Sequence, residues 1–166
     1  MTLNVVDSII KLVCWMVRIR VFREEDAATL EAIYREAFQD EIKRGMEIVT
    51  AREFIEFSKR PEVKIFVAEL DDQVVGYVMT SERRGLPLRV NTIAVKKEFR
   101  RRGFGKELLK KSVEYAKSAG KGKIVLFTRP WNKPMRKICL KLGFIPEAYL
   151  RKDFFNEDLI RYSFFL

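Results

Sequence analysis

The chain has 166 residues, 48% of them hydrophobic and 34% charged, which suits one folded unit with a real core and excludes a disordered tail. With no histidine and two cysteines, it has no material for a histidine-based triad, a disulfide framework or a zinc site, and no metal is expected. The net charge of +10 is uneven: residues 1–88 carry 13 basic and 16 acidic side chains, residues 89–166 carry 20 and 7.

Residues 1–15, MTLNVVDSIIKLVCW, are mostly apolar but lack a basic leader and a small-residue cleavage site, which argues against a secretory signal and for a cytoplasmic protein. Lys11 and the short length argue against a membrane span. They read as an N-terminal extension of uncertain status, ahead of a single domain over residues 16–166. An upstream translation start and an amphipathic segment packed on the core or a partner subunit both explain them.

Residues 17–22, VRIRVF, alternate as a half-buried strand should. The spacing of Ala27, Leu30, Tyr34, Ala37 and Phe38 predicts a helix over 24–38. Thr50 followed by Glu53 is a capping box that starts a second helix through Phe57, which Pro61 closes. Strands over 63–70 and 74–80 read as a hairpin about Asp71 and Asp72. Arg83, Arg84 and Gly85 turn the chain into the next strand.

Residues 90–109, VNTIAVKKEFRRRGFGKELL, organise the rest. A strand through Val95 runs into a basic turn, Arg100 to Arg102, with Gly103 and Gly105 closely spaced. Phe104, Leu108, Leu109, Val113 and Ala116 then follow helical spacing. The first amides of a helix have no internal acceptors and sit at the positive end of its dipole. Glycine lets a ligand approach the backbone, and arginine offers forked donors to phosphate oxygens. A strand, a glycine-rich basic turn and a helix start together predict a pyrophosphate cradle. After it come a short strand over 124–128, a helix over 133–142 with Pro134 in its first turn and Gly143 at its end, and strands over 144–150 and 159–165.

Arg100-x-x-Gly103-x-Gly105 resembles the R/Q-x-x-G-x-G/A signature of the GCN5-related N-acetyltransferases (GNAT superfamily), which bind acetyl-coenzyme A (acetyl-CoA). The order of elements over residues 16–166 is similar to that family's acyl-CoA N-acyltransferase fold. It implies an α/β (α+β) unit whose mixed, mostly antiparallel twisted sheet is flanked by helices and splayed between the fourth and fifth strands. The resemblance assigns the thioester and pantetheine contacts to Ile93, Ala94 and Val95. It assigns the pyrophosphate to the turn Arg101, Arg102, Gly103, Phe104, Gly105 and Lys106, opened by Arg100.

A second family element, Asn-x-x-Ala-x-x-x-Tyr-x-x-x-Gly-Phe, is matched at Asn132, Gly143 and Phe144, with Met135 in place of alanine and Cys139 in place of tyrosine. The resemblance puts Asn132 on the pantetheine arm and Arg136 within reach of phosphate. The tyrosine often protonates the departing thiolate, so Cys139 is the candidate general acid, with Tyr149 and Tyr162 as other donors. Many relatives use a carboxylate on the central strand as base, but that strand offers only Arg89 and Asn91, with Glu82 before it and Glu98 after it. No base is named.

The resemblance implies an N-acetyltransferase with acetyl-CoA as co-substrate and direct attack by a primary amine in a ternary complex. A protein N-terminus, a lysine, a polyamine or a small amine drug would each serve as acceptor, and a homodimer is common among relatives. Glu41 and Glu47 would suit a cationic acceptor. Two other classes stay open. One is an acetyl-CoA-binding regulatory module with weak or no turnover. The other is a nucleic-acid binder using the basic half, which lacks an aromatic-rich RNA signature.

Overall fold

The computed structural model describes residues 17–166; the extension over 1–15 lies outside the described residues. In chain order come β1 (Arg18–Val21), a 3-10 turn (Glu24–Asp26), α1 (Ala27–Ala37), α2 (Gln39–Lys43) and α3 (Ala51–Ser58). Then follow β2 (Val63–Leu70), β3 (Gln73–Ser81), β4 (Leu88–Val95), a 3-10 turn (Lys97–Phe99) and α4 (Phe104–Ser118). The chain closes with β5 (Lys123–Thr128), α5 (Lys133–Lys141), β6 (Ile145–Phe154) and β7 (Glu157–Phe165).

The strands form one sheet in the order β1-β2-β3-β4-β5-β7-β6. Every neighbouring pair is antiparallel except β4 and β5. That parallel pair needs a crossover, which α4 supplies. The mixed, mostly antiparallel sheet flanked by helices is the fold class that the sequence implies.

Over β2, β3 and the start of β4 both faces of the sheet are covered. Phe66, Val78, Leu88 and Val90 pack with Leu108 and Leu109 of α4, while Ile65, Val67 and Tyr77 pack with Leu30, Ile33 and Phe54 of α1 and α3. This explains the near-continuous apolar runs of β2 and β3, since strands buried on both faces lose their alternation. The capping box of α3 forms as expected: Thr50 Oγ1 accepts from the Glu53 amide, and the Glu53 carboxylate accepts from the Thr50 amide at 2.8 Å.

Two elements differ from the sequence-based expectation. The helix expected over 24–38 begins as a 3-10 turn and breaks at Phe38, whose backbone (φ −116°, ψ 23°) is not helical, before α2 resumes. Phe38 instead stacks on Tyr34, with ring centroids 4.8 Å apart. The last two strands run further toward each other than 144–150 and 159–165. Phe155 (φ 47°) and Asn156 (φ 60°) make a two-residue turn with both φ positive, which matches the twist of the strands it joins. Leu150 pairs Leu159 and Phe154 pairs Glu157, so β6 carries a bulge, with Lys152 in the left-handed region (φ 53°). A bulge breaks the period of two by which a strand is read.

Gly76 on β3 faces Val95 of β4, and a Cβ there would lie 2.8 Å from the Ala94 carbonyl oxygen. Gly76→Ala should therefore force β3 from β4 and cost about 1–3 kcal/mol, the range for overpacking a tight contact. Equilibrium denaturant unfolding measures it; an unchanged midpoint would show that the strands part without penalty.

Candidate active site

β4 and β5 are hydrogen-bonded partners only at Leu88–Ile124 and Arg89–Val125, and beyond these pairs they diverge. The edge of β4 that faces β5 therefore has no strand partner from about Val90 onward. Which amides point into the gap follows from alternation. The Lys96 amide donates to the Val75 carbonyl at 2.9 Å, so Lys96 and Ala94 face β3, and the amides of Ile93 and Val95 face the gap. The register shifts between the Met79–Thr92 and Thr80–Val90 pairs, leaving Asn91 as an extra residue that bends β4 where the gap opens.

The turn after β4 builds the other half of the cleft. Arg100 Nε donates to the Val95 carbonyl at 3.0 Å, tying the turn to the strand end. Arg101 (φ 64°) and Gly103 (φ 94°) are both left-handed, and Gly103 is the N-cap of α4. Phe104 is buried against Phe99, which fixes the helix start. Gly105 comes so near α5 that a Cβ would touch Ile138 at 3.4 Å. The amides of Phe104, Gly105 and Lys106 are first-turn donors without intrahelical acceptors. Around them Arg101, Arg102 and Lys106 are exposed, Arg102 lying over the Phe99 ring at 5.2 Å.

A cleft of about 400 Å³ joins these parts, and Ile93, Ala94, Val95, Arg100, Gly105 and Asn132 all line it. Asn132 caps α5, accepting from the Met135 amide at 3.2 Å. Other residues singled out in the sequence lie elsewhere. The Arg136 guanidinium donates to the Pro130 carbonyl at 2.7 Å and to the Tyr162 hydroxyl at 3.3 Å, so it braces the loop before α5 and does not line the cleft. Cys139 is fully buried in the core, where burial pushes its thiol up to about 12. Tyr162 is buried beside it in the same core, and Tyr149 donates to Asp158 at 2.6 Å on the outer edge. Glu82 pairs with Lys121, and Glu98 is exposed on the turn.

A second cavity of about 380 Å³ adjoins the first, walled by Tyr34, Phe38, Met46, Phe127, Phe154 and Leu159. Phe38, Ile93, Arg129, Asn132 and Met135 line both spaces. Arg129 holds the boundary. Its Nε donates to Glu157, and its Nη2 lies 2.8 Å from Glu41. That second contact pairs the charges without the alignment of a hydrogen bond. The guanidinium also lies over the Trp131 and Phe154 rings, at 5.7 and 5.4 Å from their centroids. Arg44 completes the set by donating to Glu157 at 2.6 Å. The Arg44 hydrogen bond, helped by Arg129, holds the Glu157 carboxyl below the usual carboxylate range against its slight burial. Tyr34 is pushed up by burial and by the charges of Glu41 and Glu53.

The two arginines and two glutamates join α2, the end of β5 and the β6–β7 hairpin into one neutral cluster. Glu41 is thus spent on Arg129 and is not offered to a cation. Sequence reading missed this cavity because its walls come from elements and loops spread along the chain from Tyr34 to Leu159. One signal was present: Arg129 is a charge placed directly after the apolar run 124–128.

Residues 27–144 match the model of the acetyltransferase (GNAT) family. The chain belongs to this family. It is 36% identical over 110 residues to an N-alpha-acetyltransferase of Sulfurisphaera tokodaii, a match covering 59% of this chain and 66% of that protein. It is 32% identical over 144 residues to an uncharacterized N-acetyltransferase of Methanocaldococcus jannaschii, covering 86% of this chain and 87% of the relative. The match to the Sulfurisphaera protein thus spans just under two thirds of its length. Among solved structures, yncA of Salmonella typhimurium, determined with its cofactor acetyl-CoA, shares the fold at a TM-score of 0.79 with 18% identity, over 90% of this chain and 94% of that one.

Replacing Arg129 with methionine would leave Glu41, only 7% exposed, without its counter-charge. The expected loss is about 3 kcal/mol of stability. Adding Glu41→Gln should recover part of it, because the two sites couple through one ion pair. Denaturant unfolding of both single variants and the double variant measures the coupling; strictly additive losses would show that the pair contributes nothing.

Proposed function

We propose that this protein is an N-acetyltransferase that moves an acetyl group from acetyl-CoA to a primary amine by direct attack within a ternary complex. Acetyl-CoA is the co-substrate. The observation that carries the reading is the pair of unpartnered β4 amides, Ile93 and Val95, aimed into a gap that leads from the α4 turn to the adjoining second cavity. In this reading the turn amides from Arg101 to Lys106 hold the pyrophosphate, with Arg101, Arg102 and Lys106 adding charge. Asn132 contacts the pantetheine arm, and the acceptor enters through the cavity walled by Tyr34 and Phe154.

The chemistry then follows from position. The amine nitrogen attacks the thioester carbon, the carbonyl oxygen gains charge, and the amide of Ile93 donates to it. A preformed donor of this kind is worth about a hundredfold or more in rate. Holding amine and thioester together contributes further, by removing the entropy cost of their encounter. The C–S bond breaks as the C–N bond forms, and the proton lost by the nitrogen passes through water to the departing thiolate. Cys139 has no part in this, since its thiol lies in the core.

The acceptor class best supported is an α-amino group, the group named for the Sulfurisphaera relative. A cofactor-binding module without turnover is the second reading. It is favoured by one feature: among the described residues, no Asp or Glu lines the space assigned to the acceptor.

Calorimetry with acetyl-CoA, run beside a thiol-release assay over peptides and small amines, tests the reading. Gly103→Val puts a β-branched residue at φ 94° and should weaken acetyl-CoA binding by about tenfold or more. No binding by the intact protein would sink the proposal, and binding without thiol release would favour the module.

In the same assay Cys139→Ala should keep kcat within about threefold and leave the pH profile in place. A general acid would lose about a hundredfold or more.

A further inference from the structure

The second cavity is positively charged, and its charge has one source. Arg129 is balanced within the cluster it forms with Glu41, Glu157 and Arg44. Arg89 is not: among the described residues no carboxylate pairs with it, it is exposed, and its guanidinium rests over the Phe127 ring at 4.8 Å. Both Arg89 and Phe127 line the cavity. The carboxylates on neighbouring elements are engaged or turned away. Glu53 caps α3 through Thr50, Glu82 is held by Lys121, and Glu47 is exposed and does not line the cavity. An unpaired cation in a partly enclosed space attracts an anion and repels a second cation.

Position sets how far that anion lies from the reacting nitrogen. Arg89 forms the last β4–β5 pair, at the apex of the gap, and Ile93 stands four residues further along β4. Four residues of strand span about 13 Å, less after the Asn91 bulge and the reach of the arginine side chain. A free amino acid, with amine and carboxylate on one carbon, is too short for this span. A peptide advances about 3.3 Å per residue and adds the length of an acidic side chain.

We propose that the acceptor is a peptide N-terminus with an acidic residue at its second or third position, and that Arg89 binds that carboxylate while the amine meets the thioester beside Ile93. This rests on the acetyltransferase reading above and narrows its acceptor. Polyamines and other cationic amines are disfavoured by the same charge.

The test is acetyl transfer to short peptides identical except for aspartate, asparagine or lysine at positions two and three, with free aspartate as a separate arm. The aspartate peptide should exceed the lysine peptide in kcat/KM by about tenfold or more, chiefly through KM, as expected for a charged hydrogen bond. Arg89→Gln should bring the ratio of the two close to one, and Arg89→Glu should invert it. Acetyl-CoA affinity measured by calorimetry on each variant shows that it is folded. A ratio that survives Arg89→Gln, or a lysine peptide that matches the aspartate peptide in the native protein, overturns the inference and leaves the acetyltransferase reading standing. Free aspartate outcompeting the peptides overturns the peptide assignment. Acetyl-CoA binding with no transfer to any acceptor overturns both.

Discussion

The site depends on hydrogen bonds that the sheet does not make. Two parallel pairs join β4 to β5, and after Arg89 and Val125 the strands part. Each residue of β4 beyond that point keeps its backbone donor and acceptor, and those on the open edge have no strand to meet. In an ordinary sheet this would be a defect. Here it leaves the amides of Ile93 and Val95 fixed by β3 on one side and without a strand partner on the other.

The surroundings keep that gap open and shaped. Asn91 bends β4 as an extra residue, and Gly76 lets β3 stay close enough to hold the bent strand. Arg100 ties the turn to the Val95 carbonyl, which sets the start of α4 against the end of β4. On the far side β5 continues the sheet with β7, so the two halves are joined at the apex and diverge above it. Arg129 then bridges the mouth through Glu41 and Glu157, linking elements that the sheet itself does not connect. Such a cluster is built from charges that cancel, so it orders the rim without adding a net field to the cavity. The field is left to Arg89.

The proposed reaction rests on geometry more than on acid–base groups. The thiol that replaces the tyrosine of the family pattern lies in the core at Cys139, with its proton held by burial, and Tyr149 and Tyr162 are engaged elsewhere. What the fold supplies is a fixed strand edge, a row of first-turn donors, and two adjoining cavities beside them.

The sequence by itself determined the local pieces. A capping box at Thr50, a hairpin at Asp71–Asp72, a strand running into Arg100-x-x-Gly103-x-Gly105 and a helix beyond it are each set by neighbours within a few residues, so they can be read from spacing. The family was legible for the same reason: the turn that carries its signature is one continuous segment. Only the tertiary structure decided the second cavity, the pairing of Glu41 with Arg129, the burial of Cys139 and the unbalanced charge of Arg89. Those depend on which residues from distant elements share a space, and on whether a charge or thiol finds a partner, water or core when the chain closes. Spacing along the chain holds no record of that, because side chains far apart in sequence become neighbours only through the packing of the whole.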